Sequence, residues 1–271
     1  MYVTEITSAQ NPRLKGFVRL MEKSRERKET GLFLVEGFRE ILRCIEGGYT
    51  LDSIVFNARG ATEEQLTALE KRLGNSDVRY YSLKEELYSR LAYREGTENF
   101  IAIAKERKLS LTDILFKKEN PFPLILVIES VEKPGNIGAL LRTADACNAD
   151  AVIICDPLTD LYNPNLIRAS VGALFNLQVA TCESREAIQW LKANGIKIFT
   201  AQLQDSQWYY NANMAQPCAI VMGSEADGLS QIWRDAADSR IKIPMLGISD
   251  SLNVSVSAAV LCYEAIRQRG L

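Results

Sequence analysis

Residues 124–142 have the sequence LILVIESVEKPGNIGALLR, in which five apolar residues precede a Pro-Gly loop and a helical pattern. Short apolar runs of the same kind follow at 151–155, 177–180, 197–200, 218–222 and 241–244. Helical patterns separate several of these runs, at about 137–149, 163–173 and 184–194. Strands that are apolar on both faces and alternate with helices are typical of a parallel sheet covered on both sides. The C-terminal half is therefore predicted to be an α/β domain that ends in a long helix over 252–269.

The N-terminal part also alternates between strand and helix patterns. Strands are predicted at 33–36, 53–56, 78–81 and 100–104. Helices are predicted at 11–28, 37–46, 62–73 and 83–91. We therefore predict a smaller α/β domain over 1–106, a charged linker over 107–121 and the larger domain over 122–271.

The chain has 271 residues and no histidine. This excludes the commonest general base near neutral pH, the commonest metal ligand and any Ser-His or Cys-His pair, so no metal site is expected. Six scattered cysteines without C-x-x-C spacing favour buried thiols in a reducing compartment. No apolar run approaches the ~20 residues of a membrane span, and the N-terminus lacks the pattern of a signal peptide. We therefore expect a cytoplasmic protein that does not contact a membrane.

The net charge of −2 conceals an asymmetry along the chain. Residues 1–120 carry 21 Lys and Arg against 19 Asp and Glu, whereas residues 121–271 carry 11 against 15. Seven of the basic residues lie within 1–28. A local basic patch is therefore available in a protein that is acidic as a whole, although a solvated helix face would have the same composition.

Ligands of open parallel sheets bind beyond the carboxyl ends of the strands, and three such loops carry unusual residues. In the first loop, Gly135 and Gly138 permit close backbone approach, Asn136 can cap a helix, and Arg142 lies among apolar neighbours. Arg142 is either a structural cation paired with a carboxylate or a fixed cation aimed at phosphate or developing negative charge.

The second loop, VMGSEADGLS at 221–230, has two glycines at P-loop spacing. Leu229 stands where a P-loop needs lysine, which excludes ATP or GTP binding of that kind, and the chain has no G-x-G-x-x-G fingerprint. The third loop, IPMLGISDSLNVSVS at 243–257, concentrates hydroxyl groups and Asn253 before a helix. Tight turns and helix caps explain some of these residues, but not the whole set.

Taken in order, PGNIGALLRTA (134–144), IVMGSEADGLS (220–230) and the third loop resemble the SpoU/TrmH family of RNA ribose 2′-O-methyltransferases, in the SPOUT superfamily. Residues 6–15 (ITSAQNPRLK) and 31–40 (GLFLVEGFRE) are similar to the family's substrate-binding domain, a ribosomal-protein-like RNA-binding fold. The resemblance implies a trefoil knot in the larger domain, S-adenosylmethionine as methyl donor, and a homodimer with active sites near its interface.

The resemblance also implies the site residues. Asn136 and Arg142 match the polar pair of the first motif, Glu225 the acid of the second, and Ser251 and Asn253 the third. Positions matching those that hold the cofactor are Ala201, Leu203, Gly223, Ile243 and Leu252. A guanidinium remains protonated in almost any site, so we expect Arg142 to bind a phosphate and stabilise the developing alkoxide.

RNA contact is expected from N-terminal bases, namely Arg13, Lys15, Arg25, Arg27, Lys28 and Arg39. The expected substrate is ribosomal RNA first and tRNA second. Two other functions remain open from the sequence: a knotted methyltransferase that acts on a base, and a non-catalytic RNA-binding protein of the same fold.

Overall fold

The computed structural model describes residues 2–74, 76–92, 99–117 and 120–270. The chain forms two compact units. The first contains Met1–Arg107 with Asp160–Asn176, and the second contains Lys108–Thr159 with Leu177–Leu271. Each unit has its own sheet, as the alternation of strand and helix patterns predicts.

The sheet of the first unit has five strands in the order β1-β4-β3-β5-β2. These strands are Val3–Ile6 (β1), Leu32–Glu36 (β2), Leu51–Asn57 (β3), Arg79–Leu83 (β4) and Phe100–Lys105 (β5). β1, β4 and β3 run parallel, whereas β5 is antiparallel to both β3 and β2. The helices of this unit are Pro12–Glu22 (α1), Ser24–Thr30 (α2), Phe38–Glu46 (α3), Glu63–Leu73 (α4), Glu85–Tyr88 (α5), Pro164–Ser170 (α7) and Ala173–Asn176 (α8).

The helix predicted over 11–28 is broken at Lys23, whose backbone is extended (φ −117°, ψ 113°). The last carbonyls of a helix need partners. Arg27 supplies them, since its Nη1 donates to the carbonyls of Leu20 at 2.5 Å and Met21 at 3.2 Å. The break separates α2 from α1, and it buries an arginine that a continuous amphipathic helix would have exposed.

Residues 160–176 do not follow the predicted domain boundary. The Tyr162 ring stacks on Phe33 of β2 at a centroid distance of 4.2 Å, and Phe175 lies 6.2 Å from the same ring. Asp160 pairs with Arg27 at 2.5 Å. The predicted single helix over 163–173 is divided into α7 and α8, because Val171 and Gly172 both have positive φ. This apolar segment lies in the second half of the sequence, but it is part of the core of the first unit.

The sheet of the second unit has seven strands in the order β10-β12-β9-β11-β6-β7-β8, and all neighbouring pairs are parallel. The strands are Leu124–Glu129 (β6), Ala151–Cys155 (β7), Val179–Cys182 (β8), Lys197–Ala201 (β9), Gln207–Trp208 (β10), Cys218–Met222 (β11) and Ser239–Lys242 (β12). Its helices are Pro134–Ala146 (α6), Ser184–Ala193 (α9), Gln231–Ala236 (α10) and Val254–Gln268 (α11). The predicted parallel sheet is confirmed. The short β10 was not predicted.

The predicted linker over 107–121 is not a free connection in its described part. Leu109 forms a parallel bridge with Ala180, and Ile114 is buried in the core cluster of the second unit. Leu111 and Phe116 pack against the same cluster. Apolar side chains therefore attach this charged segment to the second unit.

Candidate active site

The carboxyl ends of β9, β11 and β12 surround a cavity of about 500 Å³. All five residues predicted to hold the cofactor line it, namely Ala201, Leu203, Gly223, Ile243 and Leu252. Glu225 and Ser251, two of the predicted catalytic residues, also line it. Segments that are far apart in sequence thus contribute to one site at one edge of the sheet, as parallel strands require.

The loop after β11 is closed on itself. Ser224 and Gly228 exchange backbone hydrogen bonds of 3.1 Å in both directions. A Cβ on Gly223 would overlap the backbone carbonyl of Gly228 and lie 2.5 Å from Leu229 N. Only glycine permits this approach of two backbone segments, which explains why the loop needs glycine at 223.

Glu129, the last residue of β6, anchors the far end of this loop and is not among the site residues predicted from the sequence. Its carboxylate is 4% exposed and accepts from Ser230 N at 2.9 Å and from the Ser230 hydroxyl. A buried carboxylate is costly unless such donors satisfy it. The signal available in the sequence was an acid at the end of an apolar strand.

A polar cluster forms around Glu225. Its Oε1 accepts from Asn136 Nδ2 at 2.8 Å and from Asn253 Nδ2 at 3.0 Å. Its Oε2 accepts from Lys133 Nζ at 2.8 Å. Asn253 Nδ2 also lies 3.3 Å from Asn136 Oδ1. The three loops identified in the sequence therefore meet at one carboxylate, with Lys133 as a member that sequence reasoning missed.

The cluster is electrostatically matched. The hydrogen bond from Lys133 holds the pKa of Glu225 below its ordinary value, against the opposing effect of burial, and Asn136 contributes in the same direction. The same pair raises the pKa of Lys133. Glu225 is therefore an ionised acceptor that fixes the amides of Asn136 and Asn253.

Arg142 lies in α6 but is not joined to this cluster. Its side chain is exposed, and it makes no ion pair with any residue that the structure describes. The neighbouring α6 residues Ile137, Leu141 and Ala144 take the buried face. The interpretation of Arg142 as a structural cation paired with a carboxylate is therefore wrong, and its guanidinium is available to a ligand.

The predicted RNA-binding residues fall into three groups: one buried, two exposed in ion pairs, and three exposed. Arg27 is 4% exposed, pairs with Asp160 and caps α1, so its prediction as an RNA contact is wrong. Arg25 and Arg39 are exposed but pair with Glu29 at 2.7 Å and Glu40 at 3.0 Å. Lys15 and Lys28 are exposed, and so is Arg13, whose guanidinium lies 5.4 Å from the centre of the Tyr81 ring.

Other expectations concern metals, cysteines and membranes. Among the described residues, no group of His, Cys, Asp and Glu could hold a metal ion. All six cysteines are free thiols, and five of them are buried. Over the described ranges, no helix combines the length and the apolar composition that a bilayer span requires.

Comparisons with known proteins match both parts of the chain. Residues 123–263 match the SpoU rRNA methylase family, and residues 11–102 match the MRM3-like substrate-binding domain. A 23S rRNA (guanosine(2553)-2′-O)-methyltransferase of Bacillus subtilis is 28% identical over 96% of this chain and 98% of its own.

Two solved structures extend the likeness to the fold. An RNA 2′-O ribose methyltransferase superposes with a TM-score of 0.82 at 36% identity, covering 99% of this chain and 100% of its own. An AdoMet-bound rRNA methyltransferase from Sinorhizobium meliloti has a TM-score of 0.88 at 26% identity, covering 98% of each chain. The model of the SpoU rRNA methylase family matches more than half of this chain, and the three loops that carry its motifs meet at one site. The chain therefore belongs to the SpoU rRNA methylase family.

Proposed function

We propose that this protein transfers a methyl group from S-adenosylmethionine to a ribose 2′-hydroxyl of ribosomal RNA. The observation that carries the proposal is the convergence of Asn136, Glu225 and Asn253 beside the cavity. The relatives support ribosomal RNA as the substrate, and they confirm the predicted enzyme class and cofactor. The predicted alternatives, a base-directed methyltransferase and a non-catalytic RNA-binding protein, are not favoured.

The cavity suits this cofactor. Its volume falls within the usual range for small-molecule sites. Leu203, Ile243 and Leu252 offer apolar walls for an adenine ring, while Glu225 and Asp250 bring negative charge suited to a cationic sulfonium. The cofactor supplies the electrophilic methyl group.

The protein residues orient the substrate and manage charge. We assign the exposed Arg142 to the phosphate next to the target ribose and to the negative charge that develops on its 2′-oxygen. Asn136, Ser251 and Asn253 orient the ribose, with Glu225 fixing the two amides. Because the chain has no histidine, the acceptors that remain for the 2′-hydroxyl proton are Arg142, a carboxylate, a phosphate oxygen and water.

Product analysis tests the proposal. Ribosomal RNA incubated with the enzyme and labelled S-adenosylmethionine is expected to carry the label at a nucleotide that resists alkaline cleavage. Labelled but alkali-labile product would indicate a base methyltransferase. Label on tRNA alone would show that tRNA, and not ribosomal RNA, is the substrate. RNA binding without any label would indicate a non-catalytic protein.

We also propose a homodimer. α6 and α11 pack together, and their exposed side carries Ala146, Val256 and Tyr263, of which the last two are 48% and 50% exposed. Arg142 is exposed on α6 as well, so a second copy placed there would lie beside the site. Light scattering is expected to give twice the mass of the chain, and Val256→Asp is expected to give monomers with reduced methylation.

Two further proposals follow from the family. We propose that the segment from 243 to the end of α11 passes through a loop of the second unit to form a trefoil knot. α11 packs against α6 and against β11, which is the central strand of the seven-stranded sheet, and this placement supports the path. An experimental structure traced through 243–254 tests it. We place the enzyme in the cytoplasm, where ribosomal RNA would be its substrate, and fluorescence microscopy of a tagged chain tests that.

A further inference from the structure

We propose that Lys133 is a ligand for the RNA phosphodiester backbone, which Glu225 holds in place until the substrate arrives. The inference rests on the proposed function and deepens it. It begins from the position of Lys133, whose ammonium group lies 2.8 Å from Glu225 Oε2 at the polar cluster.

The backbone of Lys133 is fixed although its side chain is free to move. Its carbonyl accepts from Asn136 N at 3.0 Å and from Ile137 N at 3.2 Å, which makes it the residue before the first turn of α6. Its side chain is 72% exposed. The ammonium group can therefore exchange partners within a small radius without disturbing the helix.

The ion pair has little value for the fold. Exposed pairs of this kind contribute little to stability because solvent screens them and both side chains lose freedom. Glu225 also does not depend on Lys133 for its position, since Asn136 and Asn253 both bind the other carboxylate oxygen. When Lys133 leaves, Oε2 can be solvated while Oε1 keeps both amides.

The charge of the site favours the exchange. The second unit is acidic, yet its substrate is a polyanion that must approach Glu225. Lys133 neutralises that carboxylate in the free enzyme. When RNA binds, the ammonium group of Lys133 can then donate to a phosphate oxygen instead of to Glu225. A hydrogen bond between two ionised groups is stronger than one between neutral groups.

Salt dependence of RNA binding tests the inference, with RNA that the wild-type enzyme methylates. Each phosphate contact contributes about 0.7 to 0.9 to the slope of log K against log salt. Lys133→Met is expected to lower the slope by about that amount, whereas Lys133→Arg retains it. Calorimetry with S-adenosylmethionine is expected to give unchanged affinity for both variants, which shows an intact cavity.

The matched control is Lys197→Met. Lys197 is also an exposed lysine paired with a carboxylate, Asp238, at 2.9 Å, but it begins β9 at the edge of the sheet opposite the cavity. Its removal is expected to leave the slope unchanged. Glu225→Gln provides the converse test, because it frees Lys133 and is expected to tighten RNA binding by about two- to fivefold even as methylation falls.

An unchanged slope for Lys133→Met, or weaker RNA binding by Glu225→Gln, would overturn the inference and leave Lys133 with the ion pair to Glu225 alone. That result differs from failure of the proposed function, in which the wild-type enzyme itself methylates no RNA.

Discussion

Asn253 caps α11 through its side-chain oxygen, which accepts from Ser255 N at 3.0 Å, and donates its amide to Glu225 Oε1 at 3.0 Å. One side chain thus starts the last helix and completes the polar cluster. The orientation of the amide is fixed, because the oxygen serves the helix and the nitrogen serves the site. The geometry of the cluster therefore depends on where α11 begins.

Asn253→Asp separates these two roles. Aspartate caps helices as well as asparagine does, so stability is expected to change little. The donor is lost and a second carboxylate faces Glu225, so the methylation rate is expected to fall about 10- to 100-fold. Asn253→Ala is the comparison, since it should also lose about 1 kcal/mol of unfolding free energy. Equal rates for Asn253→Asp and wild type would contradict the assignment.

Arg27→Met tests the reassignment of that residue from RNA contact to structure. Removing one partner of a buried ion pair costs about 3–5 kcal/mol, and Asp160 would remain buried without its cation. Urea denaturation is expected to show this loss. Arg25→Met, at a side chain that is 87% exposed, should cost little stability. Comparable stability of the two variants would contradict a structural role for Arg27.

Gly223→Ala tests the closed loop at the cavity. The added Cβ would meet the backbone of Gly228 and Leu229, which cannot yield as a flexible side chain can. Affinity for S-adenosylmethionine in calorimetry is expected to fall about tenfold or more, a loss of about 1.4 kcal/mol. Gly247→Ala is the control, because a Cβ there meets nothing within 4 Å. Full affinity in Gly223→Ala would mean that the loop is not the cofactor's wall.

Glu129→Gln tests the anchor of the same loop from its other end. Both Ser230 groups donate to the carboxylate, and a glutamine would present an amide N–H to one of them. We expect about 1–3 kcal/mol of lost stability and weaker cofactor binding. Glu132→Gln, an exposed neighbour, should change neither quantity. Cofactor affinity that survives in Glu129→Gln would restrict Glu129 to folding alone.

The acidic limb of the pH profile tests the Lys133–Glu225 pair. Its hydrogen bond lowers the pKa of Glu225, so the carboxylate stays ionised as the pH falls through its ordinary 4.5, and its contribution is lost only at the lower pKa. Lys133→Met is expected to move the acidic inflection of kcat/KM, which reports ionisations of the free enzyme in which the pair is intact, to higher pH. A shift to lower pH, or no shift, would contradict this role.

The three loops show what could be predicted at the site. Glycine, asparagine and acid positions were recognisable because they follow buried strands, and the order of parallel strands brings such ends together. Lys133 and Glu129 escaped prediction because charged residues in a loop have the same appearance whether they are solvated or paired. Their partners, Glu225 and Ser230, are about a hundred residues away.

The break at Lys23 and the transfer of 160–176 to the first unit escaped for a similar reason. Residues 11–28 have a helical pattern with apolar side chains as far as Met21 and polar or charged ones after it, and nothing local indicates that Arg27 is buried. The guanidinium of Arg27 can be buried because the carbonyls of Leu20 and Met21 and the carboxylate of the distant Asp160 accept its hydrogen bonds. The hydrophobic periodicity of a segment indicates which side chains share a face of the helix, but it does not indicate which residues distant in sequence will contact them.

By itself, the sequence determined the two α/β sheets, the three loops and the absence of histidine chemistry, because these depend on local periodicity, turn residues and composition. The tertiary structure alone decided which charges are paired, buried or free. Arg27 became structural, Lys133 joined Glu225, and Arg142 was left exposed. Charge pairing is set by distances between segments remote in sequence, and those distances exist only once the chain has folded.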